Sequence, residues 1–422
     1  MRVHRLVTFL IVVLTGLLLV MCNATSMAKG PTTLTLTTFG YSAEQLEGYQ
    51  NVIVAFEKKF PNIKIQTINV PSVPNYREKL LTMFASGSPP DVMMMSDDGF
   101  REFASKGLFM DLDSWLANES TFKKSDFFES TFQAFEYNGK TYGIPRRANN
   151  MVMFYNQTMF DRAGIAYPSE EWTWDDFLAA AKKLSGGQGP NRTYGVVFET
   201  FWIRAFPWIW QAGGSLLSDD YTKVVVDSRE TIDAIQFLQD LIFKHEVAPP
   251  LSVTGDLGTL EMFQTGRVGM VPTGAWKIPN YRTVKDFTWD VAHLPKKVTK
   301  ASPIYSSAYC IAKGSKNPEE AWEFVKYMSS EDAQIVDAAV PTALPTLKSV
   351  AFSPTWLEPD KMPKNRRIFL DALEYGRVMP LIERWNEMGA IVQREFDLLW
   401  AGVKNAEEVA KTLKVELQNI VE

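Results

Sequence analysis

The sequence predicts an α/β protein of two domains, and three observations support that class. The chain has 422 residues, more than one hydrophobic core usually holds. Between residues 33 and 95 the apolar residues follow the order strand, helix, strand, helix, strand, which indicates a parallel sheet with crossover helices. Residues 141–165 carry two strand-like segments around a polar cluster, as expected where a chain leaves one compact unit and enters another.

The first strands end beside two carboxylates. Residues 33–39 and 63–68 alternate as strands, and 91–95 reads as a short buried strand. Asp97 and Asp98 follow this third strand, at the edge where such sheets bind ligands. They could equally cap the helix expected at 100–105, so both interpretations remain open.

The polar cluster lies between strands expected at 142–145 and 151–155. It consists of Arg146, Arg147, Asn149 and Asn150. Crevices between compact units are where small ligands bind, which makes these side chains candidates. The alternative is a surface loop within one domain.

Aromatic residues are concentrated in residues 201–210. A helix would place Trp202, Phe206 and Trp210 on one face, although Pro207 favours a start near itself. Such a stripe is usually core, but the excess of tryptophan also favours a ligand wall. Trp276 follows Gly274 at the end of a strand expected at 268–272, where side chains face a crevice.

The other elements alternate in the same way. Thr173 and Asp176 have the spacing of a capping box, and the glycine-rich loop 185–191 lacks phosphate-binding spacings. Further strands are expected at 194–198, 287–294 and 304–311, and further helices at 227–245, 258–265, 317–328, 330–339, 366–400 and 406–421.

The N-terminus predicts export. Arg2 and Arg5 precede an uncharged apolar run of 15 residues, 6–20, which is short for a membrane span and typical of a signal peptide. Residues 1–28 are therefore predicted to be a signal peptide cleaved after Ala28, and cleavage before a lipidated Cys22 is the alternative. The protein is expected in the periplasm, or at the cell surface anchored through Cys22.

Charge and composition exclude several classes. Removing Arg2 and Arg5 leaves 42 basic against 49 acidic residues, a net charge of −7, which disfavours nucleic acid as a partner. Cys310 would be the only cysteine left, and His245 and His293 the only histidines. We therefore expect no cofactor, no metal site and no histidine-based catalytic triad.

Several short segments match a known family in their order and spacing. Over residues 33–422 they resemble the extracellular solute-binding proteins of carbohydrate ABC importers, the family of the maltose-binding protein. The segments are PDV at 90–92, GLFMDL at 107–112, YGIP at 142–145, FDRAGI at 160–165, WTWDDF at 172–177, GAW at 274–276 and SKNP at 315–318.

The resemblance implies a two-lobed periplasmic-binding-protein fold with a three-crossing hinge and a ligand cleft. The implied N-terminal lobe comprises residues 29–145 plus 301–340, and the C-terminal lobe 146–300 plus 341–422. Such a protein closes about its hinge on a sugar and delivers it to a membrane permease. The implied partners are a carbohydrate and the permease, and the protein is expected to be a monomer.

The predicted ligand-binding residues combine flat aromatic rings with hydrogen-bonding groups. Rings cover the apolar faces of a sugar, and carboxylate, amide and guanidinium groups bind its hydroxyls. Asn149 stands where the maltose-binding relative has Glu, and Ser306 where many relatives have Gly. The full set is Tyr41, Asp98, Arg147, Asn149, Asn150, Trp202, Phe206, Trp210, Trp276, Ser306 and Trp385.

Two other classes remain as alternatives. A secreted glycosidase needs two carboxylates about 5–10 Å apart, and no such pair stands out, so we expect no catalytic residues. A binder of another solute, such as a polyamine or a phosphorylated polyol, is the second alternative. Arg146, Arg147 and Arg204 favour an anion, whereas the tryptophans favour a sugar.

Overall fold

The computed structural model describes residues 30–39, 43–70, 73–339, 341–380 and 382–421. These residues form two α/β lobes, each built on its own sheet, which confirms the predicted fold class. Within the described ranges, no helix has the length and apolar character needed to cross a membrane. The predicted signal peptide, Cys22 and Tyr41 lie outside them.

Thirteen strands are present in the described residues. In chain order they are β1 (Thr32–Phe39), β2 (Ile63–Val70), β3 (Val92–Ser96), β4 (Glu136–Tyr137), β5 (Lys140–Thr141), β6 (Gly143–Asn150), β7 (Val152–Asn156), β8 (Tyr194–Val196), β9 (Val268–Thr273), β10 (Trp289–Ala292), β11 (Ser302–Ile311), β12 (Leu344–Pro345) and β13 (Gly376–Val378).

Eighteen α-helices are present in the same ranges. They are α1 (Ala43–Lys59), α2 (Val73–Ala85), α3 (Asp97–Ser105), α4 (Asp113–Ala117), α5 (Glu129–Gln133), α6 (Gln157–Ala163), α7 (Trp174–Leu184), α8 (Phe206–Gln211), α9 (Arg229–Phe243), α10 (Leu251–Gln264), α11 (Ile278–Tyr281), α12 (Pro318–Met328), α13 (Glu331–Ala338), α14 (Lys348–Ala351), α15 (Pro354–Leu357), α16 (Arg367–Glu374), α17 (Trp385–Trp400) and α18 (Ala406–Val421).

The larger sheet forms the first lobe. Its order is β12-β6-β11-β3-β1-β2, with β13 paired to β11. β1 pairs in parallel with β2 and β3, as the sequence predicts, and β11 runs antiparallel to β3 and β6. The carboxyl end of β3 therefore points toward the start of α3, where the two aspartates lie.

The smaller sheet forms the second lobe, with the order β10-β7-β9-β8. β8 and β9 are parallel, whereas β7 is antiparallel to both β9 and β10. All its strand residues are buried, because α6, α7, α10 and α16 pack against it. Helix α7 begins with the predicted capping box, in which Thr173 and Asp176 bind each other's backbone N–H groups.

Two direct strand crossings join the lobes. β6 runs into β7 with only Met151 between them, and β10 leads through a short loop into β11. The Met151 N–H donates to Ser302 Oγ (3.1 Å), and that hydroxyl donates to the Met151 carbonyl (2.7 Å). The polar residues 146–150 are thus part of β6, which corrects the interpretation of a polar cluster between strands.

Residues 341–378 follow the junction between the lobes. β12 pairs with β6 and β13 with β11, so this part of the chain contacts the larger sheet. Helices α17 and α18 pack in the core of the second lobe instead. The lobe boundaries given above, 29–145 plus 301–340 and 146–300 plus 341–422, remain a prediction.

A close contact between α7 and β8 offers a test of this packing. A Cβ at Gly195 would lie 2.1 Å from the Ala181 carbonyl oxygen, so Gly195→Ala must push helix and strand apart. We expect it to lower the free energy of unfolding by about 1–3 kcal/mol in urea denaturation. Gly186→Ala, where nothing lies within 4 Å of the added Cβ, is the control. Equal stability of both variants would contradict the packing described.

Candidate functional site

A cavity of about 380 Å³ lies between the two lobes. The first lobe contributes the end of β3, the start of α3, and β6 and β11. The second lobe contributes a 3₁₀ turn, the segment after β9 and the start of α17. The lining residues used below are Ser96, Asp97, Asp98, Arg146, Arg147, Asn149, Ile203, Trp276, Tyr305, Ser306, Thr342 and Trp385.

Asp98 lies in the first turn of α3 and pairs with a buried arginine. Arg77, from α2, places Nη2 2.5 Å from Asp98 Oδ1 and also donates to Ser96 Oγ. Gly99 makes room for it, since a Cβ there would lie 2.5 Å from Arg77 Nε. Arg77 Nη1 donates to Asn386 Oδ1 (2.5 Å) in α17, so this side chain also links the lobes.

Asp97 forms the rear wall of the cavity and is almost fully buried. Its Oδ2 accepts the Ser306 N–H (3.1 Å) and its Oδ1 accepts the Asp98 N–H (3.0 Å). Burial, and after it the charge of Asp98, raises the pKa of Asp97 to about 8. Ser96 precedes α3 and makes no side-chain capping bond, but Asp97 Oδ1 accepts an N–H of the first turn, so Asp97 serves the helix start as well as the cavity.

Arg146 and Arg147 share one carboxylate. Arg146 Nη2 lies 2.8 Å from Asp337 Oδ1, and Arg147 Nε donates to Asp337 Oδ2 (2.6 Å). Burial alone would raise the pKa of Asp337, but the two guanidinium groups outweigh it and hold that pKa below its ordinary value. Both arginines line the cavity with Asp337 as counter-ion, which weakens their attraction for a ligand anion.

The two asparagines of β6 differ in position. Asn149 lines the cavity, and its Nδ2 donates to the Thr342 carbonyl (3.3 Å). Its Oδ1 accepts no hydrogen bond from the described residues, which makes it a candidate acceptor for a ligand hydroxyl. Asn150 is fully buried and donates to the Phe369 carbonyl (2.6 Å), so it does not reach the cavity, contrary to the prediction.

Trp276 is half-buried in the wall of the second lobe, held by three neighbours. A Cβ at Gly274 would lie 2.0 Å from the nearest ring carbon, so only glycine lets the ring lie there. The Arg204 guanidinium lies over the ring, 4.8 Å from its centroid, and Tyr305 meets it edge-on at 6.0 Å. Arg204 in turn donates to Tyr305 Oη (2.9 Å) and Glu199 Oε2 (2.8 Å).

The predicted aromatic stripe lies behind this wall. Trp202, Phe206 and Trp210 do share a face, with ring centroids 5.4 and 5.1 Å apart, and α8 begins at Phe206. All three are buried and none of them lines the cavity, so the structure places them in the core, not in a ligand wall. Trp202 supports Trp385, 4.9 Å away, and Trp385 does line the cavity.

Ser306 lines the cavity on β11, and its hydroxyl donates to the Arg147 carbonyl (3.1 Å). Arg77 and Tyr305 were not among the predicted site residues, and Asp97 was a candidate only together with Asp98. Their roles depend on contacts between segments far apart in the chain, which no local pattern reveals.

The side chains at the cavity can bind a polar molecule. Among the described residues, no group of three His, Cys, Asp or Glu side chains could hold a metal ion. Asp98 is paired with Arg77 and Asp97 is bonded to two backbone N–H groups. Aromatic rings on one side and hydrogen-bonding groups on the other fit a neutral, polar ligand.

Two lobes, direct strand crossings and a cavity between them define the class of two-lobed binding proteins. The chain matches the model of the bacterial extracellular solute-binding protein family over residues 40–335, and it belongs to that family.

Individual relatives are similar over long stretches. A maltotriose-binding protein of Pyrococcus abyssi is 26% identical over 387 residues, covering 88% of this chain and 76% of the relative. An arabinooligosaccharide-binding protein of Halalkalibacterium halodurans is 28% identical over 252 residues, covering 59% and 54%. An ABC substrate-binding protein of Listeria monocytogenes, solved in complex with cycloalternan, is 27% identical with a TM-score of 0.82, covering 92% of this chain and 98% of that one.

The buried Asp97 should make stability depend on pH. Because its pKa is raised on folding, the native state binds a proton that the unfolded state releases, and the free energy of unfolding should fall as pH rises from about 4 to about 8. Asp97→Asn should remove this part of the dependence. Urea denaturation at pH 5 and pH 8 measures it, and a variant with the wild-type pH dependence would show that Asp97 is not its source.

Proposed function

We propose that this protein is the extracytoplasmic substrate-binding component of a carbohydrate ABC importer. It captures a sugar or oligosaccharide in the cavity between its lobes and delivers it to the membrane permease. The observation that carries this proposal is a cavity lined by both lobes, with aromatic rings and hydrogen-bonding groups on facing walls, in a chain of the solute-binding family.

The names of the relatives favour carbohydrate over other solutes. The Pyrococcus and Halalkalibacterium relatives are named for oligosaccharides, and the Listeria structure contains one. The residues that line the cavity also favour a carbohydrate, because flat rings cover the apolar faces of a sugar and each buried hydroxyl needs a hydrogen-bond partner. Asp337 offsets one of the two positive charges of Arg146 and Arg147, which reduces their attraction for a phosphorylated or carboxylated solute.

Within the cavity we assign roles by position. Trp276 and Trp385 offer apolar ring surface, while Asp98, Arg147 and Asn149 offer hydrogen-bonding groups from the opposite lobe. Four other predicted residues act indirectly: Ser306 fixes β11 against β6, and Trp202, Phe206 and Trp210 support the wall from behind. Tyr41 stays a proposal from the sequence alone.

Capture would follow from closure of the hinge. The crossings at Met151 and Ser302 are hydrogen-bonded to each other, and rotation of the lobes about them is the motion that we propose. A ligand that contacts both walls binds the closed arrangement best and therefore shifts the population toward it. The hydrogen bond from Arg77 to Asn386 joins the two lobes and would contribute to the stability of the closed state.

The proposal includes several finer statements. We infer that the protein has no catalytic activity, acts as a monomer, binds no nucleic acid and requires no cofactor. We also infer that it is exported after removal of residues 1–28, or as a lipoprotein anchored through Cys22. Incubation with labelled oligosaccharides separates binder from enzyme, because only an enzyme would release cleavage products.

A thermal-shift screen against mono- and oligosaccharides tests the function. A sugar at 100 times its dissociation constant should stabilise the protein by about 2.7 kcal/mol, which is a visible rise in melting temperature. Polyamines and phosphorylated polyols belong in the same screen as the competing solute classes. Stabilisation by one of these, with no response to any sugar, would contradict the proposal.

Trp276→Ala should weaken sugar binding by about 2–4 kcal/mol, the usual loss for an aromatic anchor. Isothermal titration calorimetry with the best sugar of the screen measures it. Trp115→Ala is a matched control, because Trp115 is half-buried against Trp322 in the first lobe, away from the cavity. We expect the control to bind normally. If Trp276→Ala bound the sugar with wild-type affinity, the Trp276 ring would not be part of the binding site.

A further inference from the structure

Two adjacent carboxyl groups line the central cavity between the lobes, but the nearby guanidinium group pairs with only one of them. Arg77 Nη2 lies 2.5 Å from Asp98 Oδ1. Asp97 instead accepts two backbone N–H groups, from Ser306 at Oδ2 and from Asp98 at Oδ1. Two carboxylates that share a site favour protonation of one of them, and the geometry points to the one that lacks the cation.

Asp97 is also the more deeply buried of the two carboxyl groups. It is 4% exposed, whereas Asp98 is partly exposed. Burial first, and then the Asp98 charge, raise the pKa of Asp97 to about 8, and they outweigh the opposing effects of the Arg77 charge and the two backbone N–H groups. Asp97 is therefore mainly neutral at pH 7, while Asp98 keeps its ion pair with Arg77.

The other charged and titratable groups around Asp97 keep their state near neutral pH. Guanidinium groups do not lose their proton in proteins, so Arg77, and Arg146 and Arg147 in the cavity wall, stay cationic. Burial raises the pKa of Tyr305, the neighbour on β11, which therefore remains a neutral phenol. Among the described residues that line the cavity there is no histidine, lysine or cysteine. A titration there between pH 7 and pH 9 would thus report on Asp97.

A protonated carboxyl group gives this wall a hydrogen-bond donor. Each oxygen of Asp97 uses one lone pair for a backbone N–H, which leaves the other for a proton or for a ligand hydroxyl. The neutral group can therefore donate one hydrogen bond and accept another, as a sugar hydroxyl also does. The ionised group has no donor, and a ligand that covers it must displace water from a second negative charge beside Asp98, which costs free energy.

We propose that Asp97 is a further ligand-binding residue, which binds the sugar in its neutral form and donates its O–H to a ligand hydroxyl. Sugar binding is then linked to proton uptake, because protein molecules with an ionised Asp97 take one proton from the buffer when they bind. This inference rests on the proposed function and adds to it a dependence of sugar affinity on pH.

The affinity for the best sugar of the thermal-shift screen, measured by isothermal titration at pH 7 and pH 9, tests this role. If only the neutral form binds, the apparent Kd rises as the neutral fraction falls, so wild-type affinity should drop about ten-fold between these pH values. Asp97→Asn keeps a neutral donor, and its affinity should be the same at both.

Asp290→Asn is the matched control. Asp290 is a buried carboxyl group of the second lobe that accepts the backbone N–H groups of Val291 (2.9 Å) and Asn365 (3.0 Å) and does not line the cavity. Burial raises its pKa as well, so it tests whether any buried carboxyl group produces the effect. We expect Asp290→Asn to keep the ten-fold drop of the wild type.

Proton uptake by the wild type is a second test, which depends on no variant. Isothermal titration at pH 8 in phosphate and in Tris, two buffers with different ionisation enthalpies, gives the number of protons taken up with the sugar. Because about half of the Asp97 groups are ionised at this pH, we expect uptake of about 0.5 proton per sugar bound.

The outcomes separate the role of Asp97 from the function as a whole. Constant wild-type affinity from pH 7 to pH 9, or no proton uptake at pH 8, would overturn the role and leave sugar binding intact. A drop in Asp97→Asn as large as that in Asp290→Asn would do the same, because the titrating group would then lie elsewhere. Absence of binding by any sugar at either pH would overturn both this inference and the proposed function.

Discussion

The hydrogen bonds between Met151 and Ser302 hold the two strand crossings together at the junction of the lobes, and the rest of the structure depends on this junction. One residue separates β6 from β7, so the two sheets are connected directly at this point. The cavity follows from this constraint, because the carboxyl end of β3 and the exit of β9 face each other across the gap. Both bonds are buried, where an unpaired backbone group would cost about 1–3 kcal/mol.

The charges around the cavity are already paired within the protein. Arg77 holds Asp98, Asp337 holds both β6 arginines, and Glu199 holds Arg204. Desolvating a charge is expensive unless a partner stays with it, so these pairs allow the lining to stay polar at a lower cost in free energy. Because the donors and acceptors are already held in place, binding a polar, uncharged molecule costs less side-chain conformational entropy.

Local patterns predicted much of this architecture. The parallel strands β1–β3, the capping box of α7 and the placement of Asp98 and Trp276 at the cavity all follow from periodicity, spacing or family resemblance. Each of these features depends on residues that are neighbours in sequence or on the end of a strand, and both can be recognised from the amino-acid sequence.

The remaining features depend on distant contacts. The spacing of Trp202, Phe206 and Trp210 gave the correct shared face, but whether that face meets solvent or α17 is decided by residues almost 200 positions away. For the same reason the sequence could not show that Arg77 lies under Asp98, or that Asn150 turns to the Phe369 carbonyl. The polar segment 146–150 is a strand because β11 and β12 pair with it, against its turn-like composition.

The most direct test of sugar capture between the lobes is a crystal structure of the complex with the tightest-binding sugar. We expect the sugar in the central cavity, in contact with Trp276 or Trp385 on one side and with Asp98 or Asn149 on the other. A sugar bound to one lobe alone, outside that cavity, would contradict it.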